Sequence, residues 1–227
     1  MCHATCLEFV AKHLASNEVQ DKLVIEVGAR DVNGSVRSMI QQHRPRGYLG
    51  VDIMKGPGVD EVCDATELVK KYGPDTFDLV VSTEMLEHVE DWREAVHNLK
   101  QIARPGGTLL ITTRSFGFGY HGYPYDFWRY QKEDIQVIFS DFQILILEDD
   151  PSMPGVFIKA MKPANYAEQL LDRYALYSII CGRRVLSVTP FEQRTFLFRY
   201  WVRVILLRVE NLIARLKRLL SANRVAR

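Results

Sequence analysis

The sequence is poor in cysteine, with four in 227 residues, at Cys2, Cys6, Cys63 and Cys181. Four scattered thiols do not form the disulfide framework that is typical of small secreted domains, which favours a reducing, cytoplasmic setting. The spacing of the two N-terminal cysteines and their neighbouring histidines matches no standard zinc module. We therefore predict no metal site.

Long apolar runs are also missing. No stretch approaches the ~20 uninterrupted apolar residues that a membrane-spanning helix needs. Charged residues interrupt the N-terminal segment, so we expect no signal peptide there. The sequence predicts a protein that does not cross a membrane. Its composition, 47% hydrophobic and 25% charged, is that of a globular protein with room for one α/β domain and a modest appendage.

The chain has almost no net charge, +1 in total, so overall charge does not indicate a nucleic-acid partner. The distribution is uneven, however. Residues 191–227 carry nine basic and two acidic side chains, a net of +7, and the rest of the chain has a net of −6. An acidic body with a basic tail indicates two roles, or one role performed at a surface.

Short apolar segments alternate with helical patterns through the first 162 residues. Helical periodicity occurs at 4–16, 35–42, 66–72, 91–103 and 132–139. Seven strands are predicted, at 23–28, 48–53, 62–64, 77–82, 108–113, 143–147 and 156–161. A turn is expected at 104–107, before the fifth strand. This alternation predicts an α/β fold with a mostly parallel sheet and helices on both faces.

Three acidic residues fall at the carboxyl ends of predicted strands: Glu26, Asp52 and Asp64. Ligands of open parallel sheets bind outside those ends. A carboxylate at the end of the second strand is placed to accept hydrogen bonds from two ribose hydroxyls. The first loop departs from the dinucleotide fingerprint at Arg30, so a nucleoside without a pyrophosphate is the better ligand.

At this point the sequence resembles the class I S-adenosylmethionine-dependent methyltransferases, over about residues 20–162. The ordered set of segments carries the resemblance, because each is weak alone. The segments are Val24-Ile25-Glu26-Val27-Gly28, Gly50-Val51-Asp52, Cys63-Asp64-Ala65, Phe77-Asp78-Leu79-Val80-Val81-Ser82, Met85-Leu86-Glu87-His88-Val89 and Arg104-Pro105-Gly106-Gly107-Thr108-Leu109-Leu110-Ile111. The resemblance implies a Rossmann-like fold and S-adenosylmethionine as the cofactor.

The resemblance also implies cofactor-binding residues. Glu26 and Gly28 would line the methionine part, and Asp52 would hold the ribose. The structural alternatives are a carboxylate that bonds the following loop for Glu26 and a solvated loop acid for Asp52.

For the adenine, the resemblance implies contacts from Asp64 and Ala65. Ser82 would close the site from the end of the fourth strand, although such a serine is more often a plain strand terminus. The glycine loop departs from the family at Arg30 and Val32, where glycines are usual.

The aromatic loop at 121–130 is predicted to lie over the acceptor. It resembles His-x-x-Pro-x-Asp-x-Trp-Arg stretches in some family members and offers His121 as a base and Asp126 as an acid. The alternative is structural, with Asp126 paired to Arg129 across a turn and the tryptophan in the core. Substrate contacts are predicted for Tyr123, Tyr125, Trp128 and Arg129.

His88 is the other candidate base, because it follows the fourth strand beside Glu84 and Glu87. The alternative is a histidine held near a helix start by a carboxylate. We predict catalytic roles for His88, His121 and Asp126.

The last 65 residues are predicted to be a helical extension, so we divide the chain into a methyltransferase domain at 1–162 and a basic amphipathic extension at 163–227. The predicted helices span about 165–180 and 191–221, with a break between them. The second has an apolar stripe edged by arginines, although Tyr200 and Leu207 interrupt its cationic face. The stripe comprises Phe198, Trp201, Val202, Ile205, Val209, Leu212, Ile213, Leu216, Leu219 and Leu220.

Two partners suit such a helix. One is a membrane interface, which would place the protein peripherally at the inner membrane face. The other is protein, either its own domain or a second copy in a homodimer. Nucleic acid fits less well, because the aromatic residues mostly lie on the stripe that must be buried.

Two functions remain open at this stage. The first is an S-adenosylmethionine-dependent methyltransferase that acts on a small-molecule, sugar or lipid-linked acceptor. The alternative is a catalytically inactive methyltransferase-fold protein that binds partners through its C-terminal helix, and Arg30 and Val32 in the glycine loop favour it.

Overall fold

A computed structural model describes residues 3–122 and 125–225. Within the C-terminal helix it describes side chains up to residue 214, except that of residue 212. The chain divides into two compact units, Met1–Ser187 and Val188–Arg227. The predicted functional boundary after residue 162 stays a prediction.

As far as residue 162 the elements follow the order that the sequence pattern predicts, except for a two-residue strand within the predicted aromatic loop. The helices are α1 (Ala4–His13), α2 (Arg37–Gln42), α3 (Leu68–Tyr72), α4 (Trp92–Ile102), α5 (Lys132–Ile138) and α6 (Pro190–Val225). The strands are β1 (Leu23–Val27), β2 (Gly47–Asp52), β3 (Glu61–Val62), β4 (Phe77–Thr83), β5 (Ala103–Arg114), β6 (Trp128–Arg129), β7 (Gln143–Asp149), β8 (Gly155–Met161), β9 (Leu176–Ser178) and β10 (Arg183–Val185).

The main sheet has seven strands in the order β3-β2-β1-β4-β5-β8-β7. Strands β1 to β5 pair in parallel, and β8 runs antiparallel between β5 and β7. The Rossmann-like, mostly parallel seven-stranded sheet that we predicted is confirmed. Its chain order reverses beside β1, and the carboxyl ends of β1, β2 and β4 therefore open together toward one edge of the sheet.

Helix α4 shows how the local sequence produces the layers. Its N-cap, Asp91, accepts a hydrogen bond from the backbone N–H of Glu94 at 3.2 Å. Its apolar residues recur at helical spacing and are all buried, as predicted. These residues are Trp92, Ala95, Val96, Leu99 and Ile102.

The predicted turn at 104–107 lies within the bounds of β5. Ala103 pairs with Phe77, and regular pairing resumes where Thr108 meets Leu79. The residues between these pairs bulge out of the ladder, and Gly106 adopts a positive φ of 75° there. The irregular residues are those predicted, but β5 begins at Ala103, before the turn, and not at Thr108 as predicted.

The helix predicted at about 165–180 is wrong. That segment is mostly irregular and ends in β9, which pairs with both β10 and β6 in a second, three-stranded sheet. The guanidinium of Arg93, at the start of α4, donates to the backbone carbonyls of Leu171, at 2.8 Å, and of Tyr174. A helix would use these carbonyls internally, and so tertiary contacts override the helical pattern.

The second unit contains α6, which confirms the helix that was predicted at 191–221 and extends it at both ends. Thr189 precedes it, and its hydroxyl and N–H both contact the carboxylate of Glu192, as in a capping box. Of the stripe, Leu212, Leu216, Leu219 and Leu220 lie outside the described side chains. Among the described residues, no helix is both long and apolar enough to cross a bilayer.

Candidate active site

A cavity of about 750 Å³ opens at the carboxyl ends of the central strands. Its walls come from the loops after β1, β2, β3 and β4 and from the aromatic loop. The lining residues are Val27, Gly28, Arg30, Val32, Asp52, Ile53, Met54, Cys63, Asp64, Ala65, Met85, His88, Val89, Glu90, Tyr125 and Phe127. Parallel strands bring these distant segments together, as the sequence pattern predicts.

Gly28 forms the floor where β1 ends. Its φ is 85°, and a Cβ at this position would lie 2.7 Å from the Cβ of Met85. The backbone N–H groups of Gly28 and Ala29 both donate to the carbonyl of Val51, at 2.9 and 3.0 Å. Only glycine satisfies both the backbone angle and the close approach, which ties the loop down beside β2.

Asp52 lies at the end of β2 with its carboxylate at the cavity wall. Oδ1 accepts the N–H of Met54 at 2.8 Å, and Oδ2 accepts the N–H of Arg30 at 3.3 Å. These bonds orient the carboxylate. A carboxylate oriented in this way is suited to accept hydrogen bonds from two vicinal hydroxyl groups, such as those of a ribose.

Asp64 and Ala65 line the cavity next to Cys63. Asp64 Oδ1 accepts from the N–H and the hydroxyl of Thr66, at 2.9 and 2.8 Å. The short turn after β3 thus presents a fixed carboxylate and a small apolar side chain. This combination suits the edge and face of a purine.

Glu26 and Ser82 are not among the lining residues. Ser82 is fully buried within β4, and its hydroxyl has no hydrogen-bond partner among the described residues. Glu26 is buried in β1, where its carboxyl accepts a hydrogen bond from the Tyr48 hydroxyl. Burial raises the pKa of Glu26 from 4.5 to about 7, because the interior disfavours the carboxylate.

This raised pKa makes stability depend on pH. Below 4.5 the group is protonated in both states, and between 4.5 and about 7 only the folded protein keeps its proton. Stability is therefore lost as pH rises through that window, by up to about 3 kcal/mol. We expect Glu26→Gln to remove this loss. Urea denaturation across the window measures it, and a constant difference between the two proteins would contradict the prediction.

The aromatic loop is organised by a buried ion pair between Asp126 and Arg129. The guanidinium donates to both carboxylate oxygens, at 2.6 and 2.7 Å, and also to the carbonyls of Phe118 and Gly119. Hydrogen bonds to the carboxylate outweigh its burial and hold the pKa of Asp126 far below its usual range. Asp126 is therefore an anion, which cannot serve as a proton donor.

The same carboxylate orients His121. Asp126 Oδ2 lies 2.9 Å from Nδ1 of the imidazole and accepts the backbone N–H of His121 at 2.9 Å. The separation of Oδ2 and Nδ1 is an ion-pair distance, and Nδ1 makes no hydrogen bond among the described residues. The imidazole packs edge-on against His88, with the ring centroids 4.8 Å apart.

The predicted substrate contacts divide into two groups. Tyr125 lines the cavity and is half-exposed. Trp128 and Arg129 do not line it, because both are buried, and the Trp128 indole donates to the carbonyl of Val89 at 2.9 Å. These contacts are those of the structural alternative, in which Arg129 pairs with Asp126 and Trp128 lies in the core. Tyr123 lies outside the described residues.

His88 lines the cavity, and its Nδ1 donates to the Tyr125 carbonyl at 2.5 Å. Of the two carboxylates expected beside His88, only Glu87 lies near it. Glu84 pairs with the buried Arg114, whereas Glu87 Oε1 lies 4.0 Å from His88 Nε2 and 3.8 Å from His121 Nε2.

Glu87 is the residue that the sequence analysis missed as a candidate. It is fully buried, Oε2 accepts the Thr113 hydroxyl at 2.9 Å, and Oε1 has no hydrogen-bond partner among the described residues. A buried carboxylate oxygen beside two imidazoles can stabilise a positive charge when either ring gains a proton. Glu87 is part of the Met85–Val89 segment that the sequence analysis identified, but its role depends on how close His121 lies, which the sequence does not show.

Glu87, His88 and His121 are also the group of described residues that could hold a metal ion, with their ligand atoms within 4.8 Å of one another. Two ligands of one tetrahedral zinc lie about 3.4 Å apart, closer than the separations from Glu87 to the imidazoles. We therefore retain the prediction of no metal. Dialysis against EDTA should leave methyl transfer unchanged, whereas a loss that divalent cations restore would assign an ion to this group.

Comparisons with known proteins agree with this geometry. A family model described as a methyltransferase domain matches residues 3–144. The ubiquinone biosynthesis O-methyltransferase of Chromobacterium violaceum is 28% identical over 120 residues, which cover 47% of this chain and 49% of that protein. The human mitochondrial ubiquinone biosynthesis O-methyltransferase is 42% identical over 52 residues, 23% of this chain and 14% of that protein. The match therefore spans about half the length of its bacterial relative.

Solved structures share the fold at low identity. An S-adenosylmethionine-dependent methyltransferase from Mesorhizobium loti aligns with a TM-score of 0.52 at 19% identity, covering 69% of this chain and all of that one. Burkholderia thailandensis 1,6-didemethyltoxoflavin-N1-methyltransferase, solved with 1,6-didemethyltoxoflavin and S-adenosylhomocysteine bound, has a TM-score of 0.54 at 15% identity, covering 70% of this chain and 78% of that one. The [4+2]-cyclase SpnF also scores 0.54 at 15% identity, covering 69% and 79%.

Proposed function

Because the chain belongs to the methyltransferase domain family, we propose that it transfers a methyl group from S-adenosylmethionine to a small-molecule, sugar or lipid-linked acceptor. One observation carries the proposal. A single cavity is lined by the strand-end carboxylates Asp52 and Asp64 and by His88, with His121 packed against His88. The two carboxylates suit a nucleoside, and the two histidines offer proton acceptors beside it.

We propose that Asp52 holds the ribose hydroxyls, while Asp64 and Ala65 contact the adenine. Gly28 lines the cavity at the end of β1, and we propose that its backbone faces the methionine part. The proposed roles of Glu26 and Ser82 are indirect in this arrangement, since both are buried behind the cavity wall. When bound, the cofactor supplies an electrophilic methyl group on a sulfonium.

The protein's own residues position the acceptor and manage its proton. Methyl transfer is an in-line displacement, so orientation and exclusion of water are the main requirements. We propose that the histidine pair takes the proton from the acceptor hydroxyl or amine as the acceptor atom attacks the methyl carbon, with His88 facing the cavity and His121 packed against it. The carboxylate of Asp126, 2.9 Å from Nδ1 of His121, and Glu87, 3.8 Å from Nε2, stabilise the imidazolium that forms.

The names of the relatives support oxygen as the methylated atom, since both are O-methyltransferases. Tyr125 and Phe127, whose ring centroids are 5.8 Å apart, supply an apolar wall that suits a ring or an isoprenoid-like chain. We propose a hydroxyl on such a molecule as the acceptor. The half-exposed Tyr125 is the substrate contact that the geometry supports best.

Transfer of a radiolabelled methyl group from S-adenosylmethionine tests the proposal directly. The acceptor panel contains dihydroxybenzoates with and without a polyprenyl tail, nucleotide-free sugars and polyprenyl-linked sugars. Label in any acceptor, dependent on His121, supports the enzyme. If the protein binds the cofactor and labels none of them, these acceptor classes are wrong. If it does not bind the cofactor, the enzyme itself is excluded.

The second candidate is a methyltransferase-fold protein that transfers no methyl group. Arg30 and Val32 favour it, because both side chains line the cavity where the family usually has glycine. The cyclase among the structural neighbours illustrates that this fold also supports other activities. Cofactor affinity and methyl transfer together separate the two candidates.

A further inference from the structure

Helix α6 presents large apolar side chains to solvent. The sequence left three partners for it: a membrane face, the protein's own domain and a second copy of the chain. Phe198 is 71% exposed, Trp201 56% and Ile205 58%. Side chains of this size are costly to leave in water, each by roughly 1.5–3 kcal/mol. A contiguous exposed set therefore marks a surface that binds something apolar.

Most of the exposed apolar side chains of α6 form a broad arc, whereas the exposed Leu207 lies on the opposite side. At 100° per residue, the arc from Trp201 through Phe198 to Leu206 covers about 140° of the helix circumference. A two-stranded coiled coil buries a narrower seam and would leave both edges of this arc in water. A bilayer interface covers the whole arc, because a helix lying in it buries one full side. The exposed members of the arc are Phe198, Trp201, Val202, Ile205, Leu206, Val209 and Ile213.

The charges on α6 are complementary to anionic lipid. Arg199 and Arg203 follow one edge of the arc, and Arg208 follows the other. Long cationic side chains at the edges of an apolar arc reach headgroups while their stems stay in the apolar layer. Residues 191–227 hold nine basic and two acidic side chains. A second copy would bring together two surfaces of the same sign.

We propose that α6 lies in the interface of a lipid bilayer that carries anionic headgroups. Trp201, Phe198 and Ile205 insert among the acyl chains, and the flanking arginines contact the phosphates. This inference does not depend on the proposed methyl transfer, because it uses residues of the helix alone. Where the acceptor is lipid-linked, the same contact brings the protein to the surface that holds its substrate.

Co-sedimentation of the full chain with vesicles tests the proposal, without cofactor or acceptor. We expect binding to phosphatidylcholine vesicles that contain phosphatidylglycerol, and weak binding to phosphatidylcholine alone. Replacing Arg199, Arg203 and Arg208 with glutamine should weaken binding to the anionic vesicles by about 100-fold. The matched control replaces Arg46, Lys55 and Arg173, which are exposed basic residues of the first unit, and should bind as the unmodified protein does.

Tryptophan fluorescence locates the helix in the bilayer. Trp92 and Trp128 are fully buried, so Trp201 is the tryptophan that can meet lipid. Brominated acyl chains should quench a blue-shifted emission, and Trp201→Phe should abolish that quenching. Methyl transfer to a water-soluble acceptor, or circular dichroism, confirms that each variant is folded.

Three results would overturn the proposal. One is no sedimentation with anionic vesicles. Another is equal weakening by the two triple substitutions, since this would indicate unspecific attraction of the chain's basic residues. The third is a stable dimer by light scattering that the Phe198→Gln and Ile205→Gln substitutions dissociate in the absence of vesicle binding, which assigns the arc to a second copy.

Discussion

Replacing His121 with glutamine is expected to lower kcat by about two to four orders of magnitude. Glutamine keeps a polar side chain in the loop but cannot take a proton from the acceptor. The affinity for S-adenosylmethionine should stay unchanged, because His121 is not among the residues that line the cavity. Single-turnover methyl transfer and calorimetry measure the two quantities separately.

The control for this substitution is His43→Gln, which changes a surface histidine bonded to Ser16 and should leave kcat unchanged. His88→Gln provides the internal comparison, because His88 faces the cavity and touches His121. A larger loss of kcat in the His88 variant would make His88 the base. If neither variant loses more than a few-fold, proton removal is not part of the slow step, and the proposed mechanism is wrong.

Replacing Asp52 with alanine is expected to weaken S-adenosylmethionine and S-adenosylhomocysteine binding by about 100-fold or more. Two charge-assisted hydrogen bonds to ribose hydroxyls would be lost, each worth roughly 1.5–3 kcal/mol. Asp52→Asn should lie between the alanine variant and the unmodified protein, since its amide keeps one acceptor oxygen. Titration calorimetry measures the dissociation constants.

Asp172→Ala is a suitable control, because Asp172 is an exposed carboxylate of the same unit that does not line the cavity. It should bind the cofactor normally. Unchanged affinity in Asp52→Ala would mean that the nucleoside lies elsewhere. Absence of binding in the unmodified protein would favour the non-enzymatic candidate and direct attention to α6.

The aromatic loop illustrates why its two predicted roles are compatible. Asp126 and Arg129 pair in the interior, and this pair holds the backbone of His121 in place. Removing one partner leaves an uncompensated buried charge, which is strongly destabilising. Substitutions at these two positions therefore report on folding, and His121 is the position at which chemistry can be tested by itself.

The helical pattern at 165–180 shows where reasoning from local sequence failed. Periodicity describes which side chains share a face, but it does not include the carbonyl groups that another element needs. Arg93, about 80 positions earlier in the chain, takes the carbonyls of Leu171 and Tyr174. β9 then pairs with β6, and Ile179 donates to the carbonyl of Phe127 at 3.0 Å in the cavity wall.

The sequence by itself determined the sheet and the edge at which the site lies. Buried parallel strands are short apolar runs that end in recognisable loops, and their carboxyl ends necessarily meet at one edge. Asp52, Asp64 and Gly28 could therefore be placed together before any contact was known. The close approach between Gly28 and Met85 agrees with that placement.

Only the tertiary structure decided which charged groups lie beside the two histidines. Glu87 and His121 are separated by α4, β5 and a loop, and their 3.8 Å approach depends on how Asp126, Arg129 and β9 hold that loop. Loop conformations follow from many long-range contacts and leave no periodic signal in the sequence. The strands could be predicted because their apolar pattern is local, whereas the surroundings of His88 and His121 depend on contacts between residues far apart in the chain.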